Sequence, residues 1–163
     1  IRLASNNSPL YFSDSAKFSY HKDPAKTLDA YNIKGWACVG DIGYLDEDKF
    51  LYLTDRKSNM IISAGVNIYP QETENILIQH SEVMDIAVIG IPHPYFGESV
   101  HAVVQLYNHH RASDDLIKEL DSFCRSHISS IKCPRSYEFR QDLPREPNGK
   151  LLKRLLRDEY YLK

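Results

Sequence analysis

The chain has 163 residues, 42% of them hydrophobic and 26% charged, which are the proportions of a folded globular protein with a modest core. That length allows one domain, or one domain and a piece of another. The formal charge of -2 sets up no broad field for nucleic acid or an anionic membrane, and no apolar run is long enough to cross a bilayer.

Three scattered cysteines, Cys38, Cys124 and Cys133, form no CxxC pair and fit free thiols in a reducing cytosol. No signal-peptide pattern, internal repeat or low-complexity segment is visible. The chain opens at Ile1 rather than methionine, which reads as a fragment of something longer or a processed N-terminus.

Residues 1–54 read as short β-rich pieces joined by turns. "LYFS" (10–13) is a strand candidate, and "WACVGDIGYLDEDKFLYLTDR" (36–56) reads as two strands around an acidic turn at Asp46-Glu47-Asp48. The apolar residues of "FLYLTD" alternate poorly, which predicts a strand covered on both faces. From Asp55 the texture changes. "MIISAGVNIY" (60–69) is two apolar runs split by Ala64-Gly65, the pattern of a tight hairpin. Pro70 suits the first turn of a helix, with Glu72 and Glu74 placed favourably against its dipole and Ile76 and Leu77 on its buried face.

"VMDIAVIGI" (83–91) predicts a core strand, "PHPYFGES" (92–99) a loop and "VHAVVQLY" (100–107) a second strand. "SDDLIKELDSFCRSHI" (113–128) carries Leu116, Ile117, Leu120, Phe123, Cys124 and Ile128 at helical spacing, with Ser113 as its cap. "SYEFR" (136–140) is a short strand. A final helix is expected from near Lys150, with Leu151, Leu152, Leu155 and Leu156 as its stripe and Lys153, Arg154 and Arg157 off it. The order hairpin–helix–strand–strand–helix–strand–helix predicts an α+β fold. A β-hairpin and a short mixed sheet packed by helices would occupy residues 55–163, behind the β-rich lead of residues 1–54.

Several residues invite a chemical reading beside a structural one. Asp41, between two glycines, can accept two hydrogen bonds from a vicinal diol such as a ribose, or bond its own turn. Spacing alone favours the turn. Arg56 can meet a phosphate or form a surface ion pair. Gly65 supplies a positive φ, or lets a narrow ligand pass close to the backbone. Lys150 follows the turn signal Asn148-Gly149 at an expected helix start, where the dipole disfavours a cation. It is therefore better explained as a mobile positive tip that meets an anion, although a lone lysine after a turn is usually solvated. His93, between two prolines, reads as loop packing. His109-His110 lacks metal-ligand spacing. "KRLLR" has no aromatic interleaving that would point to RNA.

Taken in order, "GWACVGDIGYLDEDKFLYLTDRKSNMIISAGVNIYPQETE", "AVIGIPHPYFGESVHAVV" and "LPREPNGKLLK" resemble the adenylate-forming enzymes, the acyl-CoA synthetases among them, over about residues 34–157. The wording "LTDRKSNMIISAGVNIYPQE" is most similar to the fatty-acyl and aryl CoA ligases. The resemblance implies that residues 1–54 are the end of a large N-terminal adenylation domain and residues 55–163 a mobile C-terminal lid. It implies that Asp41 binds both ribose hydroxyls of ATP and that Arg56 contacts the ribose or a nearby phosphate. Ser58 would be the hinge, Gly65 would line the channel for the CoA pantetheine, and Lys150 would be the adenylation lysine.

The implied reaction turns a carboxylic acid, ATP and CoA into acyl-CoA, AMP and pyrophosphate through an acyl-adenylate, with a fatty acid as the expected acid. Mg²⁺ would be bound by the part upstream of Ile1, together with the phosphate loop and the acyl pocket, and no metal site is expected in this chain. The fragment alone is expected to be inactive. The free thiols and the lack of a signal pattern predict a cytoplasmic protein, the charge balance predicts no nucleic-acid partner, and the hydropathy predicts no transmembrane segment, with peripheral membrane contact and a homo-oligomer left open. Two other readings stand beside it: an adenylation domain that loads a carrier protein, and a stand-alone binding module with the lid fold. Departures from the family pattern are Ser58 where Asp or Lys is usual, Asn59 for Asp, Ala64 and Lys49 for Gly, and Val39 for Thr or Ser.

Overall fold

A computed structural model describes residues 8–13 and 17–162, and residues 1–7 and 14–16 of the β-rich lead lie outside that description. The chain divides into two units, Ile1–Ser58 and Asn59–Lys163.

In the first unit, β1 (Ser8–Pro9), β2 (Asp41–Leu45) and β3 (Leu51–Arg56) form an antiparallel sheet in that order. The acidic turn closes β2 onto β3. The Asp46 carbonyl accepts from the Lys49 N–H at 3.0 Å and its carboxylate accepts from the Phe50 N–H at 2.8 Å, the local bond an aspartate supplies at a turn. Tyr44 and Tyr52 are cross-strand partners, and their rings stack 5.1 Å apart.

The strand expected at residues 10–13 is divided between two partners. The Leu10 N–H donates to the Asp41 carbonyl, whereas Phe12 and Ala37 exchange both backbone bonds, so the regular strand is confined to Ser8–Pro9. The expected cover on both faces of β3 is not present among the described residues, where the neighbours Tyr52 and Leu53, on opposite faces, are 46% and 66% exposed. A short helix not foreseen from periodicity, α1 (Pro24–Asp29), starts at an Asp23 cap that accepts from the Lys26 N–H at 2.9 Å. Six residues give too little repeat for a helical pattern to register.

The second unit begins with a hairpin of β4 (Ile61–Ser63) and β5 (Val66–Ile68), followed by α2 (Pro70–Leu77). Ala64 and Gly65 both have positive φ, +50° and +78°, as a two-residue hairpin turn requires. Next come β6 (Val83–His93), β7 (Gly97–Leu106), α3 (Asp114–His127), β8 (Ser136–Arg140) and α4 (Lys153–Tyr161). The sheet order is β5-β4-β7-β6, with β8 parallel to β7 over His101–Gln105. Ser113 caps α3 by accepting from the Leu116 N–H at 3.2 Å.

The apolar run in β6 is explained by burial on both faces. Ile86 and Val88 join Leu77, Leu116 and Leu120 in a core under α2 and α3, while Ala87 and Ile89 join Leu143 and Leu156 under α4. The loop expected at residues 92–99 is mostly strand. β6 runs to His93 and β7 starts at Gly97, leaving a turn of three residues. Pro92 is tolerated because β6 lies at the edge of its sheet, where a missing N–H costs no ladder bond. A polar cluster ties α4 to the sheet. His101 Nδ1 lies 2.7 Å from Ser136 Oγ, its Nε2 lies 2.9 Å from the Tyr160 hydroxyl, and that hydroxyl donates to Glu138.

Candidate functional site

Asp41 and Arg56 face each other across the β2–β3 ladder, so strand pairing itself brings the two together. Arg56 Nε lies 2.7 Å from Asp41 Oδ1, and its Nη1 donates to the Val39 carbonyl at 3.3 Å. Among the described residues the Asp41 carboxylate has no partner but Arg56. Gly40, at φ +91°, turns the chain into β2, and its carbonyl accepts from the Lys57 N–H at 2.7 Å. An open cleft of about 590 Å³ lies against this corner, with Val39, Gly40, Arg56, Lys57, Tyr20 and Lys26 on its wall. Three cations against one lining carboxylate, Asp29, leave the cleft net positive and suited to an anionic ligand, and the fixed Asp41 carboxylate beside it suits vicinal hydroxyls. Lys26 and Lys57 carried no motif that singled them out in the sequence.

Ser58 lies in a short 3-10 turn, Lys57–Asn59, and the first unit ends at Ser58. Gly65 occupies the exposed tip of the β4–β5 hairpin, and a Cβ there would meet nothing within 4 Å. The hairpin is tied to the β6–β7 turn by the Ala64 N–H, which donates to the Phe96 carbonyl at 2.9 Å.

Lys150 does not begin a helix. Arg145 and Leu151 form a bridge, and the residues between them make a tight loop. In it the Gly149 N–H donates to the Glu146 carbonyl at 2.8 Å and the Glu146 N–H to the Lys150 carbonyl at 2.9 Å. The Lys150 N–H donates to Asn148 Oδ1 at 2.9 Å, the local bond that makes Asn-Gly a turn. Helix α4 starts three residues later, so the dipole reasoning applied to Lys150 belongs to Lys153. Lys153 is neutralised by Glu74, which lies buried beyond the first turn of α2, so only Glu72 is set against that helix's dipole. The expected stripe is also narrower, with Leu156 buried and Leu155 exposed. The Lys150 ammonium has no ion-pair partner among the described residues and is open to solvent.

Gly65 and Lys150 are not brought together. Their turns attach near opposite ends of the β6–β7 hairpin, one at Phe96 and the other at Asp85 through Arg145. Those points are separated by about 25 Å of strand. His93 packs within its own turn, stacked 4.4 Å from Phe96, and His109-His110 lies in a 3-10 turn capped by Asn108. Among the described residues no three His, Cys, Asp or Glu side chains converge as metal ligands, and no helix is long and apolar enough to cross a membrane.

The AMP-binding enzyme C-terminal domain matches residues 72–150, so the match ends on Lys150. A long-chain-fatty-acid–CoA ligase of Bacillus subtilis is 45% identical over 140 residues, covering 86% of this chain and 24% of the ligase. The fatty acid–[acyl-carrier-protein] ligase ScoC of Streptomyces coeruleorubidus is 39% identical over 138 residues, 85% of this chain and 26% of that one. The solved fatty acyl CoA synthetase of Mycobacterium tuberculosis superposes with a TM-score of 0.65 at 36% identity, over 88% of this chain and 28% of that one. The chain thus spans about a quarter of the length of the curated relatives it matches.

Proposed function

Because this chain belongs to the adenylate-forming superfamily through its AMP-binding enzyme C-terminal domain, we propose that it is the C-terminal portion of an AMP-forming acyl-CoA synthetase acting on fatty acids. The observation that carries this reading is the likeness to the Bacillus subtilis ligase, which extends over more residues than either unit holds. It therefore reaches into both the unit with Asp41 and Arg56 and the unit with Gly65 and Lys150.

In the first half-reaction the acid's carboxylate attacks the α-phosphate of ATP, the bond to the β-phosphate breaks, and pyrophosphate leaves. In the second, the CoA thiolate attacks the acyl carbon and AMP leaves. Asp41 accepts from the ribose hydroxyls, with Arg56 holding its carboxylate in place. Lys150 brings a positive charge to the oxygens between carboxylate and phosphate, where negative charge gathers most in the transition state. Its exposed, unpaired ammonium supports that role, since no internal bond must break for it to reach substrate. The second unit then turns at Ser58, withdrawing Lys150 and presenting the Gly65 hairpin to CoA, so that one mobile unit serves two steps. Residues 1–54 act as the end of the adenylation domain and residues 55–163 as the lid. Mg²⁺ is assigned to the preceding part of the parent enzyme, and no step here runs through a metal. The three free cysteines support a cytoplasmic setting.

The similarity to ScoC favours a second reading, in which the acyl acceptor is a carrier protein. The test is to give the parent enzyme ATP, Mg²⁺ and a panel of fatty and aromatic acids, with CoA or an acyl carrier protein, and to follow the products by mass spectrometry. Acyl-AMP followed by acyl-CoA from fatty acids is the expected result. A thioester on the carrier alone selects the second reading, and no acyl-AMP from any acid contradicts both.

A further inference from the structure

The loop that carries Lys150 is held to the sheet by a guanidinium. Arg145 Nη1 donates to the Gly149 carbonyl at 2.5 Å, the peptide oxygen immediately before Lys150. The same side chain donates from Nε to Asp85 Oδ2 at 3.1 Å and also from Nη2 to that oxygen. Asp85 is fixed in turn, because its Oδ1 accepts from the Ile86 N–H at 2.9 Å within β6. Strand, carboxylate, guanidinium and loop carbonyl thus form one chain of charge-assisted bonds ending at the lysine's own peptide unit.

Internal bonds of the loop shape it but do not orient it against the sheet. Leu143 and Leu156 anchor the segments on either side in the core, leaving the tip between them to be aimed by a polar contact. A fork is suited to this task, since it reaches two acceptors in fixed directions where an ammonium offers only a point charge. Arg145 is itself 41% exposed, so its bonds add little to the core.

We propose that Arg145, held by Asp85, is the positioning residue for Lys150, fixing the tip's direction so that the ammonium arrives in register when the unit closes. This rests on the reading of Lys150 as the adenylation lysine. Loss of the clamp leaves the lysine present but misdirected, and a misplacement of about 1 Å costs up to about 10²-fold in rate.

The experiment measures both half-reactions in the parent enzyme with Arg145→Ala, Arg145→Lys, Asp85→Ala and Lys150→Ala. Arg145→Ala is expected to slow acyl-AMP formation by about 10-fold to 100-fold, with the KM for ATP and acyl transfer from supplied acyl-adenylate unchanged. Asp85→Ala should do the same, the Arg145→Ala/Asp85→Ala pair should be no worse than either alone, and Arg145→Lys should recover part of the rate. Amide hydrogen exchange of the Asn148–Lys150 loop, read in the same variants, should rise while the sheet stays protected. Equal loss in both half-reactions, or faster exchange throughout the sheet, would show a merely structural role and overturn the proposal. So would full adenylation by Arg145→Ala beside a crippled Lys150→Ala. If Lys150→Ala itself adenylates normally, the lysine reading fails and this inference falls with it.

Discussion

Lys153 Nζ lies 2.7 Å from Glu74 Oε1 and 2.8 Å from its Oε2, an ion pair between α4 and α2 whose side chains are 13% and 8% exposed. Glu74 Oε1 also accepts from the Val88 N–H at 2.6 Å, on the edge of β6. The pair therefore closes a sheet edge, offsets a cation at a helix start and links the two helices that flank β6.

Removing one partner leaves the other charge buried. Lys153→Met should destabilise the second unit by about 3–5 kcal/mol in urea unfolding. The double variant Glu74→Gln/Lys153→Met removes both charges and keeps an acceptor for Val88, so it should recover most of that loss. An undiminished loss in the double variant would show that the packing of Lys153's stem, and not its charge, carries the effect.

Ala64 and Lys49 stand where the family commonly has glycine, and both have positive φ, +50° and +68°. An L-residue there is strained by its Cβ, so Ala64→Gly and Lys49→Gly should each raise stability by about 0.5 kcal/mol despite the entropy cost of glycine. Gly65→Ala should lower it by about 1 kcal/mol through its backbone alone, since the new Cβ meets no neighbour. In the parent enzyme, Gly65→Ala should slow the thioester step and spare adenylation. Half-reaction rates and thermal unfolding of the three variants check both effects.

Stability should fall in two stages on acidification. Burial holds the His101 imidazole below its ordinary 6.5, against the pull of the Glu138 carboxylate. As pH drops below 6.5 the unfolded chain takes up a proton that the folded chain resists, and stability declines until the folded value is passed. Burial pushes the Glu138 carboxyl up, but its hydrogen bonds from Arg140 and Tyr160, with the charges of Arg140 and His101, outweigh that and leave it below 4.5. Its contribution is present above 4.5 and is lost as pH falls through the folded value. Urea unfolding across pH should show both limbs. His101→Asn should remove the upper one, and an unchanged upper limb would assign it elsewhere.

The order of elements in the second unit was legible from β-branched apolar runs in β6 and β7, helical spacing in α3, and the Ala64-Gly65 dipeptide at the β4–β5 turn. Asp41 and Arg56 were legible as separate motif residues, and antiparallel register explains why they meet. The Arg145–Asp85 clamp and the Glu74–Lys153 pair were not, since their partners are 60 and 79 residues apart and no local period links them. The start of α4 was misplaced by three residues because Leu151 and Leu152 fit a helical stripe, while the bridge from Arg145 to Leu151 takes them first. The exposed face of β3 was misread because an apolar run shows only that a strand should be covered, not what covers it.

Lys150 is proposed to serve adenylation and not acyl transfer. Single-turnover rates of the parent enzyme and its Lys150→Ala variant test it most directly, with acid and ATP in one arm and supplied acyl-adenylate and CoA in the other. Acyl-AMP formation in the variant is expected to fall by about 10²–10³ while acyl transfer keeps its rate. Equal loss in both arms, or none in the first, would contradict it.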